Sequence, residues 1–232
     1  MSDAGIKNDN LEQYTKQYVE SGSWKKQRVV CILPAGKSVP TRVALSWRSL
    51  IFPPNQPAHF IATEGAEVGQ AYSDAIAGII AHPELSQWEY LLCMEHDNLP
   101  PADGLIKLMR RMEANPHLSA IGGIYWTKGE GGVPQIWGDP FDPVLNFRPQ
   151  APRPGELVEC CGTGQGFTLF RLSMFKDEKI ARPWFKTKCS LEEGVGTQDL
   201  AFWSEARKYG YRCAIDCDVK VGHLDPVNNV VW

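Results

Sequence analysis

Apolar residues fall in short unbroken runs separated by longer stretches of helical spacing. Arg28-Val29-Val30-Cys31-Ile32-Leu33, Ala58-His59-Phe60-Ile61-Ala62, Glu89-Tyr90-Leu91-Leu92-Cys93-Met94 and Ala120-Ile121-Gly122-Gly123-Ile124-Tyr125 each read as a strand. Runs with almost no polar interruption suit strands covered on both faces, as in a parallel sheet. Helical spacing links Val43, Trp47 and Leu50 after Pro40, and puts Ala71, Ala75, Ile76, Ile79 and Ile80 on one face of Gly65–Ala81. Leu105, Leu108, Met109 and Met112 make a third stripe after Pro100-Pro101. Three strand-then-helix units in a row predict an α/β fold with a mostly parallel, twisted sheet flanked by helices.

The periodicity stops after Tyr125. Residues 127–156 are rich in proline and glycine, a long stretch expected to be a lid or binding loop. Order returns as a strand at Gly166–Arg171 and a helix over Gln198–Tyr209, with Thr197 as N-cap and Gly210 as its stop. A last strand, Tyr211–Val219, leads into Val221-Gly222-His223-Leu224. The expected organisation is a polar arm over 1–27, with a short helix near Leu11 to Val19, followed by one domain over 28–232.

At 232 residues and 43% hydrophobic, the chain has enough apolar surface to fold without a disulfide or a metal. A net charge of −3 gives no basic field, so direct nucleic-acid binding is not expected. No run approaches the roughly 18 to 20 apolar residues that span a bilayer. The N-terminus lacks the basic-then-apolar layout of a secretory signal. The seven cysteines are odd in number, irregularly placed and without a Cys-x-x-Cys, and Cys31, Cys93 and Cys213 sit inside apolar runs. They are expected to be buried structural thiols in a reduced, cytoplasmic setting.

Two glycine-rich strings resemble phosphate motifs and fail. Ala35-Gly36-Lys37-Ser38 lacks the glycine of a P-loop, because Cys31 stands there. Gly162-Thr163-Gly164-Gln165-Gly166 has the wrong interval for a dinucleotide fingerprint and precedes a strand, so it reads as a place of close backbone approach. Glu95-His96-Asp97 is more informative, because it closes an apolar strand and open α/β sheets bind ligands beyond the carboxyl ends of their strands. Two carboxylates one residue apart can both address a hard cation, or one directly and one through water. A solvated turn is the plainer alternative.

Strand–Glu95-His96-Asp97–Asn98-Leu99-Pro100-Pro101 followed by a helix resembles the Asp-x-Asp segment of GT-A-fold glycosyltransferases, especially the family-2-like group. Gly162 to Phe170 resembles that group's glycine-rich step into a strand beneath the acceptor site. Gly196-Thr197-Gln198-Asp199-Leu200-Ala201-Phe202 resembles its Glu-Asp helix start, with Gln198 where Glu is common. Ala206 to Arg212, then Asp216 and Val221-Gly222-His223-Leu224, resemble its closing segment. The resemblance spans roughly residues 28 to 225.

It implies a GT-A-like single domain with a nucleotide-sugar half over 28–126 and an acceptor and metal half over 127–232. The implied activity is metal-dependent, inverting transfer of a sugar from a nucleotide-diphosphate sugar to an acceptor hydroxyl. Asp97 and His223 would hold Mn²⁺ (or Mg²⁺), together with Glu95, which stands where the group usually has Asp. Pro34, Ala35, Gly36, Glu64, Glu95 and His96 would meet the nucleotide, and Arg42 the phosphates. Asp199 would be the general base, or else stabilise the start of its helix. Trp126, Trp137 and Trp184 are expected to stack on sugar, whereas Trp47, Trp88 and Trp203 are expected in packing. A sugar nucleotidyltransferase and a non-catalytic carbohydrate- or nucleotide-binding module are the competing readings.

Overall fold

The computed structural model describes residues 28–54, 56, 58–190 and 194–232. The arm over 1–27 and the helix expected within it lie outside the described residues, as does the side chain of Cys189. The first half follows the alternation read from the sequence. Strand β1 (Val29–Ala35) leads to helix α1 (Thr41–Arg48), β2 (His59–Glu64) to α2 (Val68–Ala81), and β3 (Tyr90–Met94), through the short β4 (Asn98–Leu99), to α3 (Gly104–Ala114). β5 (Ala120–Ile124) is followed by β6 (Ile136–Trp137), β7 (Leu157–Cys160), β8 (Gly162–Thr163) and β9 (Phe167–Arg171). β10 (Lys188–Ser190) and β11 (Gly194–Gly196) form a hairpin before α4 (Gln198–Ala206), and β12 (Cys213–Lys220), β13 (Gly222–Asp225) and β14 (Val230–Val231) close the chain.

The main sheet has seven strands in the order β2-β1-β3-β9-β5-β12-β7. β1 pairs in parallel with both β2 and β3, and β5 with β12, while β9 runs antiparallel between β3 and β5 and β7 antiparallel on the far edge. Strand character tracks position. β1, β3 and β5 are buried along nearly their whole length, whereas the edge strand β2 alternates between half-buried and exposed residues.

Alternation along β1 divides the core in two. Val30 and Ile32 pack with Tyr72, Ile76 and Ile79 of α2 and Phe202, Trp203 and Ala206 of α4. Val29, Cys31 and Leu33 pack on the opposite face with Leu105, Leu108, Met109 and Met112 of α3. Helices therefore cover both faces of a mixed, mostly parallel sheet. Phe170 centres the aromatic part of the first face, stacked on Trp203 at 6.0 Å and edge-on to Phe202 at 6.2 Å. Six cysteines are buried, with Cys160 and Cys213 opposed on β7 and β12, their sulfurs 3.8 Å apart.

Thr197 does occupy the N-cap position of α4, without a side-chain capping bond to the helix backbone, and Gly210 ends the following 3₁₀ turn at φ +86°. Trp184 departs from expectation. It is buried at 4% exposure and packs edge-on against Phe175 at 5.9 Å. The cause is the next residue. Phe185 N–H donates to Ser73 Oγ of α2 at 3.1 Å, drawing the segment over the core instead of out to the mouth. Trp88 and Trp203 are buried and Trp47 packs against the second core face, as their patterns suggest.

Candidate active site

Chain order fixes where a ligand can enter. From β1 the chain crosses by α1 to β2 on one side, then returns by α2 to β3 on the other. The loops leaving β1 and β3 consequently diverge, and a crevice opens beyond their carboxyl ends. It is a cavity of about 470 Å³ walled by Pro34, Ala35 and Gly36 after β1 and by Glu95, His96 and Asp97 after β3. Thr63, Gly65 and Ala66 after β2, Val68 and Ala71 of α2 and Gln198 of α4 complete the wall. The first turn of α2 thus lies on the cavity, where the positive end of a helix favours an anion. Glu64 is exposed beside this wall and is not among its residues, and Arg42 instead donates to Asn229 Oδ1 at 3.1 Å.

Asp97 and His223 meet because β4 pairs with β13, setting Asn98 against His223 and Leu99 against Gly222. Leu224 N–H donates to the Asp97 carbonyl at 2.7 Å, and the His223 backbone exchanges two 3.0 Å bonds with Trp232. His223 Nε2 lies 3.5 Å from Asp97 Oδ2. The Nδ1 of His223 sits 2.7 Å from the Trp126 carbonyl, an acceptor, so Nδ1 carries a proton and the ring is held with Nε2 toward Asp97. Edge-on packing of Tyr125 at 5.5 Å holds the ring. One carboxylate and one imidazole, whose Nε2 becomes a donor once it gives up its proton, form a donor set suited to Mn²⁺, with the remaining positions left for ligand oxygens and water. Among the described residues no group of three or more His, Cys, Asp or Glu side chains is placed to hold an ion.

The site carboxyls differ in state. Hydrogen bonds and charge from His223 and Lys128 outweigh burial at Asp97 and hold it well below the usual carboxylate range. Burial, then the charges of Asp97 and Asp199, push Glu95 up to about 8, so at neutral pH it is largely protonated. Asp199 is raised by burial, against hydrogen bonds from Thr197 and from Leu200 N–H, the latter 2.8 Å long. Its charge acts on Glu95, and its neighbour Gln198 lines the cavity, whose wall does not include Asp199 itself.

Of two further neighbours, Lys128 is not signalled by any motif, whereas the Gly164-Gln165-Gly166 backbone belongs to the glycine-rich string expected to approach closely. Lys128 donates to Asp97 Oδ2 from across 31 residues of chain. Its only hint is the Gly129-x-Gly131-Gly132 turn that follows it directly after β5. The Gly164-Gln165-Gly166 backbone lies against the site because Glu95 N–H donates to the Gly166 carbonyl at 3.3 Å. The Gly166 N–H donates to Tyr125 Oη at 3.0 Å, and a Cβ on Gly166 would stand 2.5 Å from Asn98 Oδ1. Trp126 and Trp137 are half-buried, the latter donating through Nε1 to Gln135 Oε1 at 2.7 Å.

No protein-family profile and no curated protein matches the chain in sequence. Solved structures do match in shape. The crystal structure of A197 from STIV superposes with a TM-score of 0.62 at 15% identity, over 88% of this chain and 92% of that one. GalNAc-T7, solved with UDP, GalNAc and Mn²⁺, superposes with a TM-score of 0.57 at 9% identity over 86% of this chain. The chain spans 44% of the GalNAc-T7 chain. These likenesses define a GT-A-like fold. No helix among the described residues is long and apolar enough to cross a membrane.

Proposed function

We infer that the protein is a metal-dependent glycosyltransferase that moves a sugar from a nucleotide-diphosphate sugar to an acceptor hydroxyl with inversion. The observation that carries this reading is the Asp97–His223 pair, 3.5 Å apart, with Asp97 on the wall of a cavity of about 470 Å³ at the point where the strand order reverses. That volume is ordinary for a small-molecule site. GalNAc-T7, which shares the fold, was solved with UDP and Mn²⁺. The donor half is 28–126 and the acceptor half 127–232.

Asp97 and His223 would hold Mn²⁺ (or Mg²⁺), with Glu95 beside them as a largely neutral acid until a cation lowers its affinity for the proton. The cation supplies Lewis-acid stabilisation of the charge that grows on the leaving diphosphate. Pro34, Ala35 and Gly36 would present backbone to the nucleotide, and the exposed Glu64 and His96 would reach its ribose from the rim. Asp199 accepts the acceptor's hydroxyl proton as the oxygen attacks. Its partial burial favours that role, since a carboxyl raised above its usual range is a stronger base. The 127–156 stretch closes over the donor and limits hydrolysis by water.

Thermal shift with UDP and with GDP, each with and without Mn²⁺, tests the reading. A ligand at about 100 times its Kd adds about 2.7 kcal/mol to stability. The wild type is expected to gain several degrees with one nucleotide only when Mn²⁺ is present, and Asp97→Ala to lose that gain while still melting cooperatively. An undiminished gain in Asp97→Ala would overturn the metal assignment.

A further inference from the structure

Asp97 Oδ2 faces two side chains, His223 Nε2 at 3.5 Å and the Lys128 ammonium. The lysine is presented by design of the backbone. Thr127 N–H donates to the Val133 carbonyl and Val133 N–H to Thr127 Oγ1, both at 2.9 Å, pinning the base of the turn. Gly132 N–H closes it on the Gly129 carbonyl at 3.0 Å. Gly129 at φ +98° and Gly131 at φ +78° adopt left-handed backbone, and a Cβ on Gly132 would stand 2.3 Å from the Thr127 carbonyl oxygen. Larger residues would open this turn and carry Lys128 away. The side chain itself reaches Asp97 from the solvent side, being 33% exposed where Asp97 is only 14% exposed.

An ammonium and a divalent cation repel each other and compete for the same carboxylate oxygen. Yet His223 is fixed through its Nδ1 with Nε2 turned toward the same Asp97 oxygen, a second nitrogen that a simple lysine–carboxylate pair does not require. When a cation takes Asp97, the displaced ammonium remains tethered to its pinned turn at the cavity edge. The matching acceptor there is the anionic part of the ligand, for which lysine is a point-charge partner.

We propose that Lys128 is a resident counter-ion that neutralises Asp97 in the empty site and passes to the diphosphate of the ligand when a divalent cation enters. The proposal rests on reading the site as a metal and diphosphate pocket. Lys128 is in this view a positioning residue for the empty site and a ligand-binding residue in the loaded one, and it orders binding so that neither cation nor diphosphate is held well alone.

The test uses wild type, Lys128→Gln and Lys128→Arg, with cooperative melting confirming that each folds. Mn²⁺ affinity is measured without nucleotide by titration calorimetry or electron paramagnetic resonance. Binding of inorganic pyrophosphate is then measured at saturating Mn²⁺. Charge-assisted contacts of this kind change affinity by about tenfold. Lys128→Gln is expected to bind Mn²⁺ alone about tenfold more tightly and pyrophosphate about tenfold more weakly, with Lys128→Arg close to wild type in both. Mn²⁺ affinity unchanged or weakened in Lys128→Gln, or pyrophosphate affinity unchanged, would overturn the role of Lys128 alone. Mn²⁺ binding to none of the three folded proteins would instead overturn the metal reading on which it rests.

Discussion

Glu95→Gln should stabilise the protein, and more strongly as pH rises. Glu95 goes from an ordinary 4.5 in the unfolded chain to about 8 in the fold, raised first by burial and then by Asp97 and Asp199. A carboxyl with a raised folded value takes up a proton on folding. Stability is therefore greatest below pH 4.5 and falls as pH climbs through the range up to about 8. Each pH unit in that window costs about 1.4 kcal/mol, or about 3.4 kcal/mol by pH 7. The side chain is half-buried and lines the cavity, so water relieves part of this cost. Taking half leaves about 1.7 kcal/mol, equal to roughly 3 to 7 °C for a chain of this length. Glutamine keeps the size of the neutral acid and never ionises. Melts of wild type and Glu95→Gln in EDTA at pH 5, 7 and 9 should give midpoints within about 2 °C at pH 5 and a gap that widens at each step. A gap that is constant, or that narrows with pH, would refute a buried, proton-binding Glu95. The strain fits a functional position, where stability is commonly given up to activity.

Asp199→Asn should reduce turnover by about 10² to 10⁴ while donor affinity stays within about twofold, because a general base acts on the acceptor proton and not on the diphosphate. Steady-state rates alongside nucleotide titration check this, and undiminished turnover would reduce Asp199 to a stabiliser of its helix start. Phe170→Ala should cost about 3 to 5 kcal/mol in denaturant unfolding, since the fully buried ring packs against Phe175, Phe185, Phe202 and Trp203 together. A loss below about 1 kcal/mol would mean that these rings repack into the space.

The strands that proved easiest to read are those whose two faces are both covered. β1, β3 and β5 are unbroken apolar runs because helices lie on either side, and the stripes of α2 and α3 are regular because each has one core face. Direction and neighbourhood are not written in such runs. Nothing within Phe167–Arg171 says that it slots antiparallel between β3 and β5, since pairing is settled by the whole sheet. β6 and β8 have two residues each, too few to show any period, and β7 is half-exposed among prolines. The Glu95-His96-Asp97 turn was legible because it terminates a buried strand. The contact of Lys128 with Asp97 was not, because it depends on a turn that folds back over a separation no periodicity spans. Trp184 misled for a related reason. A proline-flanked tryptophan reads as exposed until the Ser73–Phe185 bonds pull its segment inward.

The excursion between β5 and β9 is tied to Tyr125 near both of its ends, and on its way back it lends β7 to the far edge of the sheet. Tyr125 stands at both thresholds, its carbonyl accepting from Gln135 N–H at 2.9 Å and its hydroxyl from Gly166 N–H at 3.0 Å. Insertions or exchanges over the excursion's exposed stretch 141–145 can accordingly be made without disturbing β7, the Lys128 turn or the strands that carry the acids. A loop hung from a rigid frame is where one scaffold is commonly refitted to a different ligand.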